Sequence, residues 1–150
     1  YKVNLLFQIG QVYQEVNEFV KAQEIYAKIV KLYPDSSNAD YARYQLASLQ
    51  LKRSDYGAAA ASFRSMLKIY PKSKFLPDAL YALGLAYFQQ ADYIGSCEVF
   101  AKFQDEFKDS SLRPQALYML GRSLISLGKL NQALGVFREI IKLNLFRNRK

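Results

Sequence analysis

Residues able to do catalytic chemistry are scarce in this chain, and their spacing keeps them apart. None of the 150 residues is histidine, which excludes His-based triads and Cys/His zinc sites from this segment. The single cysteine, Cys97, has no partner for an internal disulfide; it falls where the apolar face of a helix begins and is expected to be a small buried residue. Asp105 and Glu106 are adjacent carboxylates, and neighbours on a helix point to different faces, so no acid/base pair follows from them. The chain is therefore expected not to be an enzyme and to use no cofactor or metal. What remains is recognition by aromatic side chains, since Tyr and Phe supply 12 and 10 residues. Phe7, Tyr44, Tyr81 and Tyr118 recur at one interval, and tyrosine offers contact area at low entropic cost together with a hydroxyl.

That interval, 37 residues, governs the whole chain. Gly10/Ala47/Gly84/Gly121, Ile9/Leu46/Leu83/Leu120, Ala22/Ala59/Ser96/Ala133 and Tyr26/Phe63/Phe100/Phe137 form four further columns. Small and aromatic residues at fixed offsets mark stacked supersecondary units that cannot bury their apolar faces singly. Apolar spacing of i, i+3, i+4, i+7 predicts helices over 2–16, 19–33, 39–53, 56–70, 76–90, 93–107, 113–127 and 130–144. Short polar joints within pairs (Asn17-Glu18, Ser54-Asp55, Ala91-Asp92, Gly128-Lys129) make these αα-hairpins. Longer joints follow each pair. Pro34 and Pro71 stop the second helices, and Pro77 and Pro114 enter the first turn of the next helix, where a missing N–H costs nothing. One domain over 1–150 is expected, with repeats at about 3–39, 40–76, 77–113 and 114–150.

The net charge of +8 raises nucleic acid or anionic lipid as partners, but the basic residues are dispersed. Arg64/Lys68 and Arg138/Lys142 are spaced i, i+4 on second helices, while Asp105 occupies the column of Lys68 and Lys142. A solvated outer face explains this spacing. Basic-surface binding of RNA or anionic lipid, through those residues with Lys72, Lys74 and the tail Arg147, Arg149, Lys150, stays as an alternative. No apolar run approaches the roughly 18 residues a spanning helix needs, so any membrane attachment would come from segments outside this chain.

Leu6-x-x-Ile9-Gly10-x-x-Tyr13, Ala22-x-x-x-Tyr26 and Pro34 together resemble the tetratricopeptide repeat. The resemblance implies an all-α, right-handed α-solenoid of four helix-turn-helix repeats. The usual period is 34, and the three additional residues lie after the proline. The Tyr-Pro-x-Ser joints at 33–36 and 70–73 and the Ala-x-Tyr-x-Leu starts at 42, 79 and 116 resemble a bacterial envelope subfamily. That subfamily includes the lipoprotein of the outer-membrane β-barrel assembly complex and the periplasmic coordinator of the Tol–Pal system. It implies a location in the periplasm or on the periplasmic face of the outer membrane, with the cytoplasm as the alternative.

In this family the first helices line a concave groove that holds a peptide or helix of a partner protein. The corresponding residues here are Phe7, Gln11, Tyr41, Tyr44, Leu51, Tyr81, Leu85, Phe88, Tyr118 and Arg122, with Gln14 as a further polar anchor. The regular column of Phe7, Tyr44, Tyr81 and Tyr118 either lines that groove or packs between first helices and exposes only hydroxyls. Irregular neighbours such as Tyr41, Leu85, Phe88 and Arg122 are the stronger candidates for specific contact. Gln11, Ser48, Leu85 and Arg122 stand where a carboxylate clamp would need Lys and Asn, which argues against that mode. The last repeat lacks the Tyr-Pro stop and a polar cap, so self-association through the C-terminal end is a third expectation.

Overall fold

A computed structural model describes the backbone of residues 1–147 and the side chains of residues 1–144. Arg149 and Lys150 of the basic tail lie outside the described residues, as does the side chain of Arg147. Eight helices are present among the described residues: α1 (Lys2–Glu15), α2 (Phe19–Leu32), α3 (Ala39–Lys52), α4 (Tyr56–Ile69), α5 (Leu76–Gln89), α6 (Tyr93–Glu106), α7 (Arg113–Ser126) and α8 (Leu130–Arg147). Expected and observed bounds agree within one residue except at the end of α8. There the helix continues past 144, because no proline follows to remove a backbone donor.

Each hairpin turn reaches a left-handed backbone at one position: Asn17 (φ 61°), Ser54 (61°), Ala91 (58°) and Gly128 (73°). These four are also spaced by 37. In the first turn the Asn17 N–H donates to the Gln14 carbonyl at 3.1 Å and the Glu18 N–H to the Tyr13 carbonyl at 2.8 Å. The same pair of bonds closes the other three turns, a Schellman termination that satisfies carbonyls the helix end would otherwise orphan. In the second and third hairpins the following residue then caps the second helix. Asp55 accepts from the Ala58 N–H at 3.3 Å and Asp92 from the Gly95 N–H at 2.9 Å.

The chain divides into two compact units, Tyr1–Ala79 and Leu80–Lys150, with the boundary inside α5. In the first unit α1 packs on α2, α2 on α3 and α3 on α4. Ala22, Tyr26, Ile29, Ala42 and Leu49 are buried together there, with Val3, Leu6, Phe7 and Leu46 against them. In the second unit α6 packs on α7 and α7 on α8.

The small-residue column explains how the helices approach so closely. A Cβ added at Gly10 would lie 2.9 Å from the Tyr26 ring, and at Gly84 or Gly121 2.6 Å from the Phe100 or Phe137 ring. The ring of the second helix occupies the notch left by the glycine of the first. In the second repeat Ala47 and Phe63 take the same columns, and both are fully buried. Burying one such ring stabilises by about 1.5–3 kcal/mol. Cys97 departs from expectation: it is half-buried rather than buried, because it is turned about 100° around the helix from the core residue Ser96. Burial nevertheless pushes its thiol pKa up.

Candidate functional site

The structure brings six of the expected recognition residues into two clusters, one in each unit: Phe7, Tyr41 and Tyr44 in the first, Phe88, Tyr118 and Arg122 in the second. In the first, Phe7 of α1 lies 5.1 Å from Tyr41 of α3, and Tyr41 lies 6.3 Å from Tyr44 (ring centroids). A residue not anticipated from the sequence completes this bank. Phe75, in the joint before α5, stacks on Tyr41 at 4.6 Å and on Tyr44 at 5.7 Å. Its position is set by polar contacts: Ser73 Oγ donates to Asp40 Oδ2 at 2.6 Å, and the Phe75 N–H donates to Ser73 Oγ at 3.2 Å. The Tyr41 N–H reaches the other oxygen of Asp40 at 2.7 Å. One carboxylate thus ties the joint to the first turn of α3. Beside the bank opens a shallow cleft of about 610 Å³, lined by Ser37, Asn38, Asp40, Tyr41 and residues 72–75.

In the second unit, the Arg122 guanidinium of α7 sits over the Phe88 ring at 5.2 Å and the Tyr118 ring at 6.0 Å. Such cation–π contacts hold a cation in place at about 0.5–1 kcal/mol each when exposed. Phe88 is itself braced edge-on by Tyr93 at 5.3 Å. Tyr118 is 50% exposed, and Leu85 is half-buried nearby in the sequence on α5. Tyr81 is half-buried, with its ring 5.7 Å from Phe100.

The regular aromatic column packs in every repeat against the second-helix ring. Phe7–Tyr26, Tyr44–Phe63, Tyr81–Phe100 and Tyr118–Phe137 lie at 5.7, 6.1, 5.7 and 6.1 Å, tilted by 58°, 58°, 61° and 54°. One face of each column residue therefore belongs to the repeat core, in the tilted geometry aromatic pairs prefer. Burial raises the pKa of the Tyr44 and Tyr81 hydroxyls. Gln14 also serves the interior: its Oε1 accepts from the Tyr26 hydroxyl at 2.5 Å and its Nε2 donates to Gln45 at 3.2 Å. Gln11 is exposed and Leu51 half-buried. Among the described residues no group of three or more His, Cys, Asp or Glu is placed to hold a metal ion, and no helix is long and apolar enough to cross a membrane.

Paired antiparallel helices, notch-and-ring columns and repeated Schellman turns define a tetratricopeptide repeat protein. A family profile described as tetratricopeptide repeat matches residues 7–74, and one described as outer membrane lipoprotein (YfiO) matches residues 42–139. The chain belongs to the tetratricopeptide repeat family and, within it, to the YfiO outer membrane lipoprotein family. No curated protein matches the sequence. Solved structures share the fold. MamA 41-end from Desulfovibrio magneticus RS-1 is 21% identical with a TM-score of 0.79, covering 95% of this chain and 75% of that one. A tetratricopeptide repeat protein from Parabacteroides merdae is 18% identical with a TM-score of 0.83, covering 95% and 53%. BtubC (BKLC) from P. vanneervenii is 14% identical with a TM-score of 0.84, covering 97% and 64%. At these identities the likeness is one of fold, the all-α tetratricopeptide solenoid.

Proposed function

We propose that this chain is a non-catalytic interaction scaffold that takes a peptide or helix of a partner protein against its first-helix aromatic faces. The observation that carries the reading is the cluster of Arg122, Phe88 and Tyr118. A guanidinium braced by two rings, with one ring half exposed, presents apolar area and a directed donor set on one surface. Such aromatic–Arg combinations dominate the affinity of protein interfaces. The bank of Phe7, Tyr41, Tyr44 and Phe75 offers a second contact, built of aromatic rings alone. The family match supports a working place at the cell envelope, in assembly or maintenance, in the periplasm or on the periplasmic face of the outer membrane.

Partner capture from envelope extracts tests the binding reading. Tyr41→Ala combined with Phe88→Ala should lower recovery of a specific partner at least tenfold while leaving the helical circular dichroism spectrum unchanged. Equal recovery by the folded double variant would refute the assignment of these faces.

A further inference from the structure

Two consecutive joints of the first unit, before α3 and before α5, are tied together by side chains that the repeat does not prescribe. The Tyr70 hydroxyl donates to the Pro34 carbonyl at 3.1 Å, Ser73 Oγ donates to Asp40 Oδ2 at 2.6 Å, and Phe75 stacks on Tyr41 at 4.6 Å. One period on, Phe107 has no hydroxyl, Pro77 stands in the column of Asp40 and Leu112 in that of Phe75. The columns therefore lack the groups to repeat these ties. They frame the cleft of about 610 Å³, whose walls are the first turn of α3 and the joint before α5. Both walls lie inside the first unit.

The charge of this joint is as particular as its ties. Lys72 and Lys74 line the cleft and are exposed, whereas the same two columns carry Asp35 and Ser37 in the joint before and Asp109 and Ser111 in the joint after. Among the described residues neither lysine is in an ion pair. The Lys74 ammonium lies 5.2 Å from the centre of the Phe75 ring, a cation–π contact that keeps it beside the apolar wall. Asp40 is the one carboxylate on the lining, and both its oxygens are taken, by Ser73 Oγ and by the Tyr41 N–H. The cleft thus sets two cations without a counter-ion next to a pair of stacked rings.

We infer that this cleft takes an acidic segment of the partner protein, a carboxylate meeting Lys72 and Lys74 while a neighbouring apolar side chain packs on Tyr41 and Phe75. The inference rests on the reading of the chain as an interaction scaffold and adds the partner's chemistry at the first unit. Two cations suit one or two carboxylates; strong polyanion binding is built from about six to ten phosphate contacts. Charge pairs at an interface select the partner and speed its encounter more than they add affinity, so the acidic segment is a device of specificity.

Selection of phage-displayed random dodecapeptides on the folded chain tests this, with the enriched peptides then measured by fluorescence polarisation against variants. Those peptides should carry Asp or Glu within two positions of an aromatic or large aliphatic residue. Lys72→Glu combined with Lys74→Glu should weaken them about tenfold, and Lys72→Gln with Lys74→Gln should weaken them less. Added salt should loosen the peptides from the unsubstituted chain and hardly from the glutamine pair. An unchanged melting transition confirms that these exposed substitutions leave the fold intact. Enriched peptides without acidic residues, or acidic peptides held equally by the glutamate pair, would overturn the inference. If such peptides still lose affinity for Phe88→Ala, the scaffold reading stands without it; no enrichment at all would remove both. Poly(U) RNA or phosphatidylglycerol vesicles released by the glutamate pair, with the peptides unaffected, would give the lysines to polyanions and overturn it as well.

Discussion

At the scale of single residues, the contacts between helices are notches filled by rings, and at Gly10, Gly84 and Gly121 the ring leaves no room for a Cβ. Gly84→Leu would place its Cβ where the Phe100 ring now stands, and overpacking of this kind costs about 1–3 kcal/mol. A thermal melt should show a lowered Tm for the variant. The tyrosine in the first notch adds a titration. Tyr26 is fully buried, its hydroxyl bonds Gln14, and burial pushes its pKa well above the ordinary value. Tyr44 and Tyr81 shift the same way. Below about pH 10 both folded and unfolded chains hold these phenol protons, and the stability they confer is complete. Above it the unfolded chain releases protons that the folded chain keeps, so stability falls as pH rises. Urea unfolding between pH 9 and 11.5 should show this decline, and Tyr26→Phe should make it shallower.

At the scale of elements, the hairpin turns carry strain in three of four repeats. Asn17, Ser54 and Ala91 hold left-handed dihedrals that glycine adopts freely, while the fourth turn has Gly128. Ala91 is exposed and has no side-chain bond to lose, so Ala91→Gly should stabilise the protein by about 1 kcal/mol. Denaturant midpoints would register the gain. In the adjacent position Asp92 caps α6. Asp92→Ala should cost about 1 kcal/mol by freeing the Gly95 N–H.

Most of this level was legible in the sequence, because the interval of 37 fixes helix, turn and notch together, and proline or a polar joint ends each helix. Less of the candidate site was legible. Phe75 shares its column with Asn38 and Leu112, so periodicity carried no sign of it; the Ser73–Asp40 bond that seats it spans 33 residues. Gln14 looked available as a polar anchor, yet its amide is spent on Tyr26 and Gln45. The regular column Phe7, Tyr44, Tyr81 and Tyr118 serves the repeat core on one face, which leaves the irregular residues to distinguish one repeat from another.

At the scale of the molecule, a chain of charge +8 still has to be tested against polyanions. Arg64, Lys68, Arg138 and Lys142 are exposed, but each unit contributes only one i, i+4 pair of them, Arg64/Lys68 on α4 and Arg138/Lys142 on α8. Binding to heparin should therefore be weak and lose less than about tenfold between 50 and 200 mM salt, whereas six to ten phosphate contacts would lose about 10³-fold or more.

The central claim is that first-helix aromatic faces, and not the basic second-helix faces, meet the partner protein. Photo-crosslinking from an unnatural residue placed singly at Phe88, at Tyr118 and at Arg64 in living cells tests it most directly. Phe88 and Tyr118 should yield the same discrete protein adduct, absent from Arg64. An adduct formed from Arg64 and missing at Phe88 and Tyr118 would contradict the claim.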